Sequence, residues 1–298
     1  MLKRTIFIAN SMYLHLKDKQ MVIESRDKQF KKTVPVEDIG FVVLENQQII
    51  ATMPLLNALN ENNVVTIFCD KSHMPNAIMQ PLESHSTHSE TLSAQINASL
   101  PLKKQLWKKV IEMKIRNQAA VLAKFDKKNE NKLYRLSKDV KSGDPENREG
   151  QAARIYWSSL FDDIEFQRER FGSQPNSFLN YGYAILRAAV ARSLVGSGLL
   201  CAIGIHHHNR YNAFCLADDM IEPFRPCIDE IVYQFHKENP DQLELTTGIK
   251  KQLLNVLTID MGFKGMKTPL MVALSRTTAS LMRSFINSKN ELELPELI

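Results

Sequence analysis

The chain has 298 residues, a length that allows about two domains of ordinary size and excludes a single small module. With 44% hydrophobic and 24% charged residues, the composition excludes a low-complexity or charge-dominated disordered chain. The net charge of +5 is unevenly distributed: residues 101–141 carry 13 − 4 = +9, which leaves 5 − 9 = −4 for the remainder. A basic segment on a nearly neutral body indicates a face that meets phosphates, and a solvated helix face is the alternative.

The sequence predicts a cytoplasmic protein with no membrane partner. Its least polar stretch, Ser193–Ile205, is interrupted by glycines and is shorter than the roughly 20 residues needed to cross a bilayer. The first ten residues, MLKRTIFIAN, contain too few consecutive apolar positions for a secretion signal. The four cysteines form no CxxC pair and are predicted to be small buried hydrophobic residues: Cys69, Cys201, Cys215 and Cys227.

Residues 1–85 are predicted to form a small β-rich domain. Short apolar or alternating runs between polar turns predict an antiparallel unit of five strands: Arg4–Ala9, Met12–Leu16, Met21–Glu24, Phe30–Val34 and Ile39–Leu44. A helix at Met53–Leu59 and a buried strand at Val64–Cys69 follow. The polar stretch at residues 81–91, PLESHSTHSET, has no apolar periodicity and predicts a linker, so the domain boundary is placed at residue 85.

Residues 86–298 are predicted to form a larger, mostly α-helical domain. Apolar residues recur there at three- and four-residue spacing, as in Leu106, Val110 and Met113. The predicted fold class is therefore α+β, with a small β-rich N-terminal domain followed by a larger helical one. The last eight residues, ELELPELI, have no strong fold preference and are expected to fray, with a partner-docking peptide as the alternative.

A single carboxylate and a cluster of histidines are the first candidates for chemistry. Glu149 lies at the end of a polar loop, just before a helical pattern, where an acidic residue alone usually only complements the helix dipole. The consecutive imidazoles of His206, His207 and His208 follow an apolar run and could present nitrogen to a metal. An exposed polar loop is the alternative interpretation of the histidines.

Three carboxylates, Asp218, Asp219 and Glu222, lie within five positions. Asp219 and Glu222 are spaced i and i+3, so a helical turn places both on one face and leaves Asp218 off it. Pro223 and Pro226 limit the helix to a short or kinked piece. One imidazole with two or three carboxylates suits Mg²⁺ or Mn²⁺, and the basic segment predicts a phosphodiester substrate. The motifs of competing enzyme classes, GxxxxGK[ST], GxGxxG, GxSxG and HExxH, do not occur.

Three motifs in order carry a family resemblance: NREGQAARIYW, NYGYAILRA and GIHHHNRYNAFCLADDMIEPFRPCIDEIV. The sequence resembles the CRISPR-associated spacer-acquisition integrases, and within them the branch found with single-protein (type II) effectors. The resemblance covers nearly the whole chain, including the segment FCDKSHMPNAIMQP. It implies insertion of short DNA duplexes into a repeat array, by attack of their 3′-hydroxyls on repeat-edge phosphodiesters with Mg²⁺ or Mn²⁺ as cofactor.

The resemblance also implies partners. These are double-stranded DNA, a second copy of the chain in a homodimer, and a small ferredoxin-like CRISPR-associated subunit in a heterohexameric complex. The effector nuclease is a further candidate partner. In this family the β-rich N-terminal domain is implied to serve dimerisation and partner contacts, and the helical domain to bind metal and DNA.

The site residues implied by the family are Glu149, His207 and Glu222, as catalytic residues and metal ligands. The G-x-x-H pattern selects His207, with His206 and His208 as alternatives because this sequence fills all three positions. Further residues expected beside the metal are Asp219 and Asp218. The candidate DNA-binding residues are Lys103, Lys104, Lys108, Lys109, Arg116, Arg154 and Arg225. For Arg225 the alternative is an ion pair with a neighbouring carboxylate. A stand-alone metal nuclease acting on branched or linear DNA, and a non-catalytic DNA-binding scaffold, are the alternative functions.

Overall fold

The computed structural model describes residues 3–79, 88–169, 172 and 174–298. The chain divides into two compact units, Met1–Glu83 and Ser84–Ile298. The first is rich in strands and the second is mostly helical, which confirms the predicted fold class. The boundary predicted at residue 85 lies outside the described residues.

The first unit is built from two four-stranded sheets, in the orders β1-β5-β7-β8 and β4-β3-β2-β6. The six predicted strands and the helix appear near their predicted positions, and two further strands, β6 and β8, are added. The elements are β1 (Arg4–Ile8), β2 (Met12–Lys17), β3 (Gln20–Ser25), β4 (Lys31–Pro35), β5 (Ile39–Leu44), β6 (Ile50–Ala51), α1 (Met53–Glu61), β7 (Val65–Cys69) and β8 (Pro75–Met79).

The prediction that the first five strands pair antiparallel is wrong for β1 and β5. Strands β2, β3 and β4 do form an antiparallel meander, but β5 pairs in parallel with both β1 and β7. All six residues of β5, IGFVVL, are buried. A continuous apolar run of this kind is typical of a central parallel strand, whereas a strand with one solvated face alternates.

The second unit contains the remaining elements. These are α2 (His88–Ile96), α3 (Leu100–Lys124), α4 (Glu130–Lys138), α5 (Arg148–Leu160), α6 (Asn176–Gly196), α7 (Cys215–Ile221), a 3-10 turn (Glu222–Phe224), α8 (Arg225–Glu238), α9 (Thr247–Leu254), β9 (Asp260–Phe263), β10 (Met266–Pro269) and α10 (Leu270–Ile286). Across the described parts of the chain, no helix combines the length and apolarity that a bilayer span requires. The four cysteines, all described, are buried as predicted, and none forms a disulfide.

Helix α3 is the centre of the second unit, and it packs against α4, α5, α8 and the 3-10 turn. It begins at the N-cap Ser99, whose side chain accepts a hydrogen bond from the Leu102 amide, and Pro101 lies in its first turn. Its inward face repeats every three or four residues and is buried at Trp107 and Ile111. This helix therefore positions whatever polar side chains fall on the same face.

The expectation that the last eight residues fray is wrong. Leu292 is fully buried, and the amide of Leu297 donates to Oδ1 of Asn117 on α3 at 3.0 Å. Nδ2 of Asn117 donates to the carbonyls of Pro223 at 2.7 Å and Pro295 at 3.3 Å. One buried amide therefore ties the terminal segment and the 3-10 turn to α3, which local sequence preference does not reveal.

Candidate metal and DNA site

Glu149 is fixed by the N-terminus of α5. The side chain of Asn147 caps the helix by accepting from the Gly150 amide at 2.9 Å. The carboxylate of Asp144 accepts from the amides of Arg148 at 2.8 Å and Glu149 at 3.0 Å. These contacts satisfy helix-end amides that would otherwise lack partners. Glu149 thus lies in the first turn of a helix, where the sequence predicts it.

Asp219 and Glu222 lie on the short helical pieces that the prolines predict. Helix α7 ends at Ile221, a 3-10 turn begins at Glu222, and Pro226 lies in the first turn of α8. Asp219 is fully buried and Glu222 is 5% exposed. Buried carboxylates need hydrogen-bond or ionic partners, and both have them.

The carboxylate of Asp219 organises the histidine loop. Its Oδ2 accepts from the amides of Ile205 at 2.6 Å and His206 at 3.0 Å. Its Oδ1 accepts from the His207 amide at 3.1 Å and lies 2.6 Å from Nδ1 of the same residue. The loop backbone therefore wraps around the Asp219 carboxylate, which also contacts a ring nitrogen of His207.

The three histidines occupy different environments. The hydrogen bond to Asp219 raises the pKa of His207, and the charges of Glu222 and Glu149 act in the same direction. With Nδ1 held by a carboxylate, Nε2 of His207 is the nitrogen left for a metal or a proton, as in carboxylate–histidine–metal triads. His206 instead stacks on Trp107, with ring centroids 4.1 Å apart, and burial lowers its pKa. His208 is exposed.

A lysine that the sequence analysis did not single out joins the two glutamates. Nζ of Lys114 lies 2.5 Å from Oε1 of Glu149 and 2.5 Å from Oε2 of Glu222. Burial lowers the pKa of Lys114, but the attraction of Glu222 and Glu149 outweighs it and the net shift is upward. Burial likewise raises the pKa of Glu222, and the charges of Arg225 and Lys114 bring it below its usual value.

The donor set fits a divalent cation only if the ammonium of Lys114 leaves the position between Glu149 and Glu222. No group of three His, Cys, Asp or Glu side chains converges on a metal position in the described residues. Two carboxylates from separate elements do converge on one cation, the Lys114 ammonium. Each contacting oxygen lies 2.5 Å from Nζ, so the two oxygens cannot be farther apart than twice that distance. Glu222 Oε2 is buried and makes this contact as an ion pair without hydrogen-bond geometry. Glu149 and Glu222 can therefore hold Mg²⁺ or Mn²⁺ once the ammonium leaves.

Arg225, for which the sequence allows either a carboxylate or a phosphate partner, contacts a carboxylate in the structure. Its Nε lies 2.9 Å from Oε1 of Glu222, and its guanidinium lies 4.6 Å from the ring centroid of Tyr183. The hydroxyls of Tyr183 and Tyr156 both donate to Asp229. Burial raises the pKa of Asp229 to about 7 despite these hydrogen bonds. Arg225 is thus held between a buried polar cluster and Glu222.

Asp218 makes a different contact from the neighbouring Asp219. Its Oδ1 lies 2.7 Å from Nε of Arg187, and both side chains are partly exposed. The i, i+3 spacing predicts this arrangement, since it places Asp218 off the face shared by Asp219 and Glu222.

The remaining basic candidates lie along α3 and α5. Lys103 and Lys104 are near the start of α3, Lys108 pairs with Glu112, and Arg116 pairs with Glu296. Lys109 and Arg116 line one surface depression together with Tyr134 and Lys138. Arg154 is exposed on α5.

An open groove beside these residues carries more positive charge than negative. Its charged lining residues are Lys108, Lys138, Asp139, Lys141 and Arg148. Arg148 directly precedes Glu149, so the groove reaches the first turn of α5. Three of the cations, Lys138, Lys141 and Arg148, are absent from the sequence-based list, although the first two belong to the basic segment that pointed to phosphate.

Comparison with known proteins identifies the family. The sequence profile described as CRISPR associated protein Cas1 matches residues 6–245. The chain belongs to the Cas1 family. The resemblance deduced from the three motifs is thereby confirmed.

One relative by sequence and two solved structures match this Cas1 family member over nearly its whole length. The CRISPR-associated endonuclease Cas1 of Neisseria meningitidis serogroup C is 37% identical over 298 residues, which cover 99% of this chain and 96% of the relative. The structure of a casposase bound to integration product superposes with a TM-score of 0.81 at 20% identity, over 97% of this chain and 92% of that one. A Cas6-RT-Cas1–Cas2 complex has a TM-score of 0.75 at 16% identity, over 98% of this chain and 36% of that one.

Gly204 allows the histidine loop to pack closely against Asp219. A Cβ added at Gly204 would lie 2.4 Å from the His207 carbonyl oxygen and 2.7 Å from Oδ2 of Asp219. We expect Gly204→Ala to lower the free energy of unfolding by about 1–3 kcal/mol, the usual cost of overpacking. Thermal and denaturant unfolding measure this effect. The control is Gly196→Ala, whose added Cβ meets nothing within 4 Å; equal losses for both variants would contradict the close-packing argument.

Proposed function

We propose that this protein is a metal-dependent DNA integrase of CRISPR adaptation. It joins the 3′-hydroxyls of a short DNA duplex to phosphodiesters at the edges of a repeat. The observation that carries the proposal is the convergence of Glu149 and Glu222 on one cation position in the same unit as a histidine held by a buried aspartate. Membership of the Cas1 family supports the reaction class.

Glu149 and Glu222 are the carboxylates that would hold Mg²⁺ or Mn²⁺, with Nε2 of His207 as the nitrogen donor. When bound, the cation supplies Lewis-acid polarisation and neutralises charge on the reacting phosphate. Asp219 keeps the His207 ring in one tautomer and orientation. Nε2 is then the one ring nitrogen that can act, either as the donor to the metal or, when the metal does not hold it, as the acceptor of the proton from the attacking hydroxyl. The incoming 3′-oxygen forms a bond to phosphorus as the target strand's phosphorus–oxygen bond breaks, and the displaced 3′-oxygen takes up a proton.

The groove lined by Lys108, Lys138, Lys141 and Arg148 is the path we propose for the DNA backbone. Lysine and arginine contacts to phosphates position a duplex without reading its bases, so sequence choice comes from partners and DNA shape. Residues 1–85 are the proposed domain for dimerisation and partner contacts, and residues 86–298 the proposed catalytic domain. The casposase neighbour is described as bound to integration product, which supports DNA as the substrate.

We propose a homodimer that joins a small ferredoxin-like subunit in a heterohexamer. A structural neighbour is a complex of Cas1 with Cas2, which supports a partner of this kind. The resemblance carried by the sequence motifs is to the branch found with single-protein effectors, and we propose the effector nuclease as a further partner.

A strand-transfer assay tests the proposal. A labelled duplex is incubated with a supercoiled repeat-bearing plasmid, the purified small subunit and Mg²⁺ or Mn²⁺. A matched duplex ending in 3′-deoxynucleotides is the control, because joining requires the hydroxyl and hydrolysis of the plasmid does not. We expect label on the plasmid only with the 3′-hydroxyl and the metal.

Two other results would overturn the proposal. Metal-dependent nicking that is equal with both duplexes, without joined label, would identify a stand-alone nuclease. Binding of DNA with no chemistry under either metal would identify a scaffold.

A further inference from the structure

Lys114 is the single charged residue on an otherwise apolar part of the inward face of α3. The positions before it on this face, Trp107 and Ile111, are fully buried. The Lys114 side chain is 12% exposed, and its nitrogen contacts Glu149 and Glu222 at 2.5 Å each. The helix therefore carries a cation into the place where the proposed function requires a metal ion.

The charges of this cluster are already balanced. Lys114 and Arg225 are two positive charges, and Glu149 and Glu222 are two negative charges. Carboxylates removed from water require such compensation, so the ammonium stabilises the pair when no metal is present. A divalent cation bound to the same oxygens would face a strongly repelling ammonium in a poorly screened space. The cation and the ammonium cannot share the position.

We propose that Lys114 is an internal counter-ion, which a divalent cation displaces and which then binds a DNA phosphate beside the metal. The inference rests on the proposed function and adds a role for a residue outside the family's ligand set. A displaced lysine near the reacting strands has a ready partner, because an ammonium is a compact point charge suited to phosphate. Metal alone must expel the lysine without compensation, whereas DNA supplies a phosphate as the negative partner of the displaced ammonium.

The consequence is that binding of the divalent cation and binding of DNA are coupled. DNA stabilises the displaced lysine and so raises metal affinity, and by linkage the metal raises DNA affinity by the same factor. Removing the ammonium should make metal binding tighter and less dependent on DNA. A merely structural lysine would have the opposite effect, since its loss weakens the site.

Mn²⁺ titrations followed by electron paramagnetic resonance of the free ion test this. They compare the wild type, Lys114→Met and the control Lys124→Met, each with and without a short DNA duplex. Lys124 lies on the same helix and has one glutamate partner, Glu230, at 2.7 Å. We expect DNA to raise the Mn²⁺ affinity of the wild type and of Lys124→Met by about 5- to 150-fold, the usual range of coupling between sites. Lys114→Met should bind Mn²⁺ alone at least about tenfold more tightly than the wild type and lose most of this coupling.

Lysine footprinting on the wild type supports or overturns the inference even if Lys114→Met does not fold. Acetylation mapped by mass spectrometry should find Lys114 protected without metal, reactive with Mn²⁺ alone, and protected again with Mn²⁺ and DNA. Protection that persists with saturating Mn²⁺ would overturn the inference.

Glu149→Gln distinguishes a failure of the proposed function from a failure of the inference about Lys114. Mn²⁺ affinity that is unchanged by Glu149→Gln would refute the metal site and with it the proposed function. Mn²⁺ affinity that depends on Glu149, but is equal in Lys114→Met and Lys124→Met, would refute only the role of Lys114.

Discussion

Glu149→Gln is expected to slow strand transfer about 1,000-fold or more while leaving the fold intact. The amide keeps the size of the side chain but loses the charge that holds the cation. A metal ion supplies several kcal/mol of transition-state stabilisation, and about 4 kcal/mol corresponds to three factors of ten. The fold should survive because the Glu149 side chain is 27% exposed and Lys114 retains Glu222 as a partner.

Single-turnover joining rates measure the effect, and circular dichroism and thermal unfolding verify the fold. Glu238→Gln is the matched control, because the exposed Glu238 lies at the end of α8, accepts a hydrogen bond from Gln234 and lines neither the carboxylate pair nor the groove. We expect its joining rate to stay near that of the wild type. Joining at the wild-type rate by folded Glu149→Gln, in a preparation free of other nucleases, would remove Glu149 from the metal site.

The parts of the site that could be predicted from sequence depend on local spacing. A polar loop followed by an apolar pattern predicts a helix start at Glu149, and the structure has one there. The i, i+3 spacing of Asp219 and Glu222, with prolines behind them, predicts a short helical piece that places both carboxylates together. Both inferences need only helix geometry and the conformational limits of proline.

The parts that could not be predicted depend on which segments meet. Lys114 is 35 positions from Glu149, so their contact exists only after α3 packs against α5. A usable signal was nevertheless present, since Lys114 falls on the apolar face of α3, seven residues after Trp107. The net charge of residues 101–141 does not distinguish this lysine from those that face solvent.

Arg225 and the terminal segment illustrate the same limit. An arginine among acidic residues suits either an ion pair or a phosphate, and only the packed structure shows it beside Glu222 and Tyr183. The terminal segment lacks a local preference, but Asn117 gives it a buried partner. In the first unit, the uninterrupted apolar run of β5 did contain the information for parallel pairing.

Asp219→Asn is expected to have the second large effect, on both stability and metal binding. The buried carboxylate accepts three backbone amides and holds the ring of His207. An asparagine offers one oxygen and turns an NH₂ donor toward other donors, which leaves buried groups unpaired. We expect the free energy of unfolding to fall by about 3 kcal/mol. We expect Mn²⁺ affinity to fall about 10- to 100-fold, the usual cost of losing a carboxylate that orients a metal-bound histidine.

The pH dependence of this loss has a definite sign. The pKa of His207 is raised in the folded protein, so its pairing with Asp219 contributes stability that is complete below the unfolded pKa. That contribution disappears as the pH rises through the raised folded pKa. The stability difference between the wild type and Asp219→Asn should therefore be larger in mildly acidic than in alkaline solution. Nuclear magnetic resonance titration should show the pKa of His207 returning toward its ordinary value in the variant.

Asp218→Asn provides the control at the neighbouring position. It makes the same chemical change, but Asp218 pairs with Arg187 where both side chains are partly exposed. Exposed ion pairs contribute about 0–1 kcal/mol, so this variant should retain the unfolding midpoint, the pKa of His207 and Mn²⁺ binding. If the two aspartate variants lost the same stability and left the pKa of His207 unchanged, Asp219 would not be orienting the imidazole. His207 would then be an exposed loop residue, and the metal site would have to be rebuilt from Glu149 and Glu222 without it.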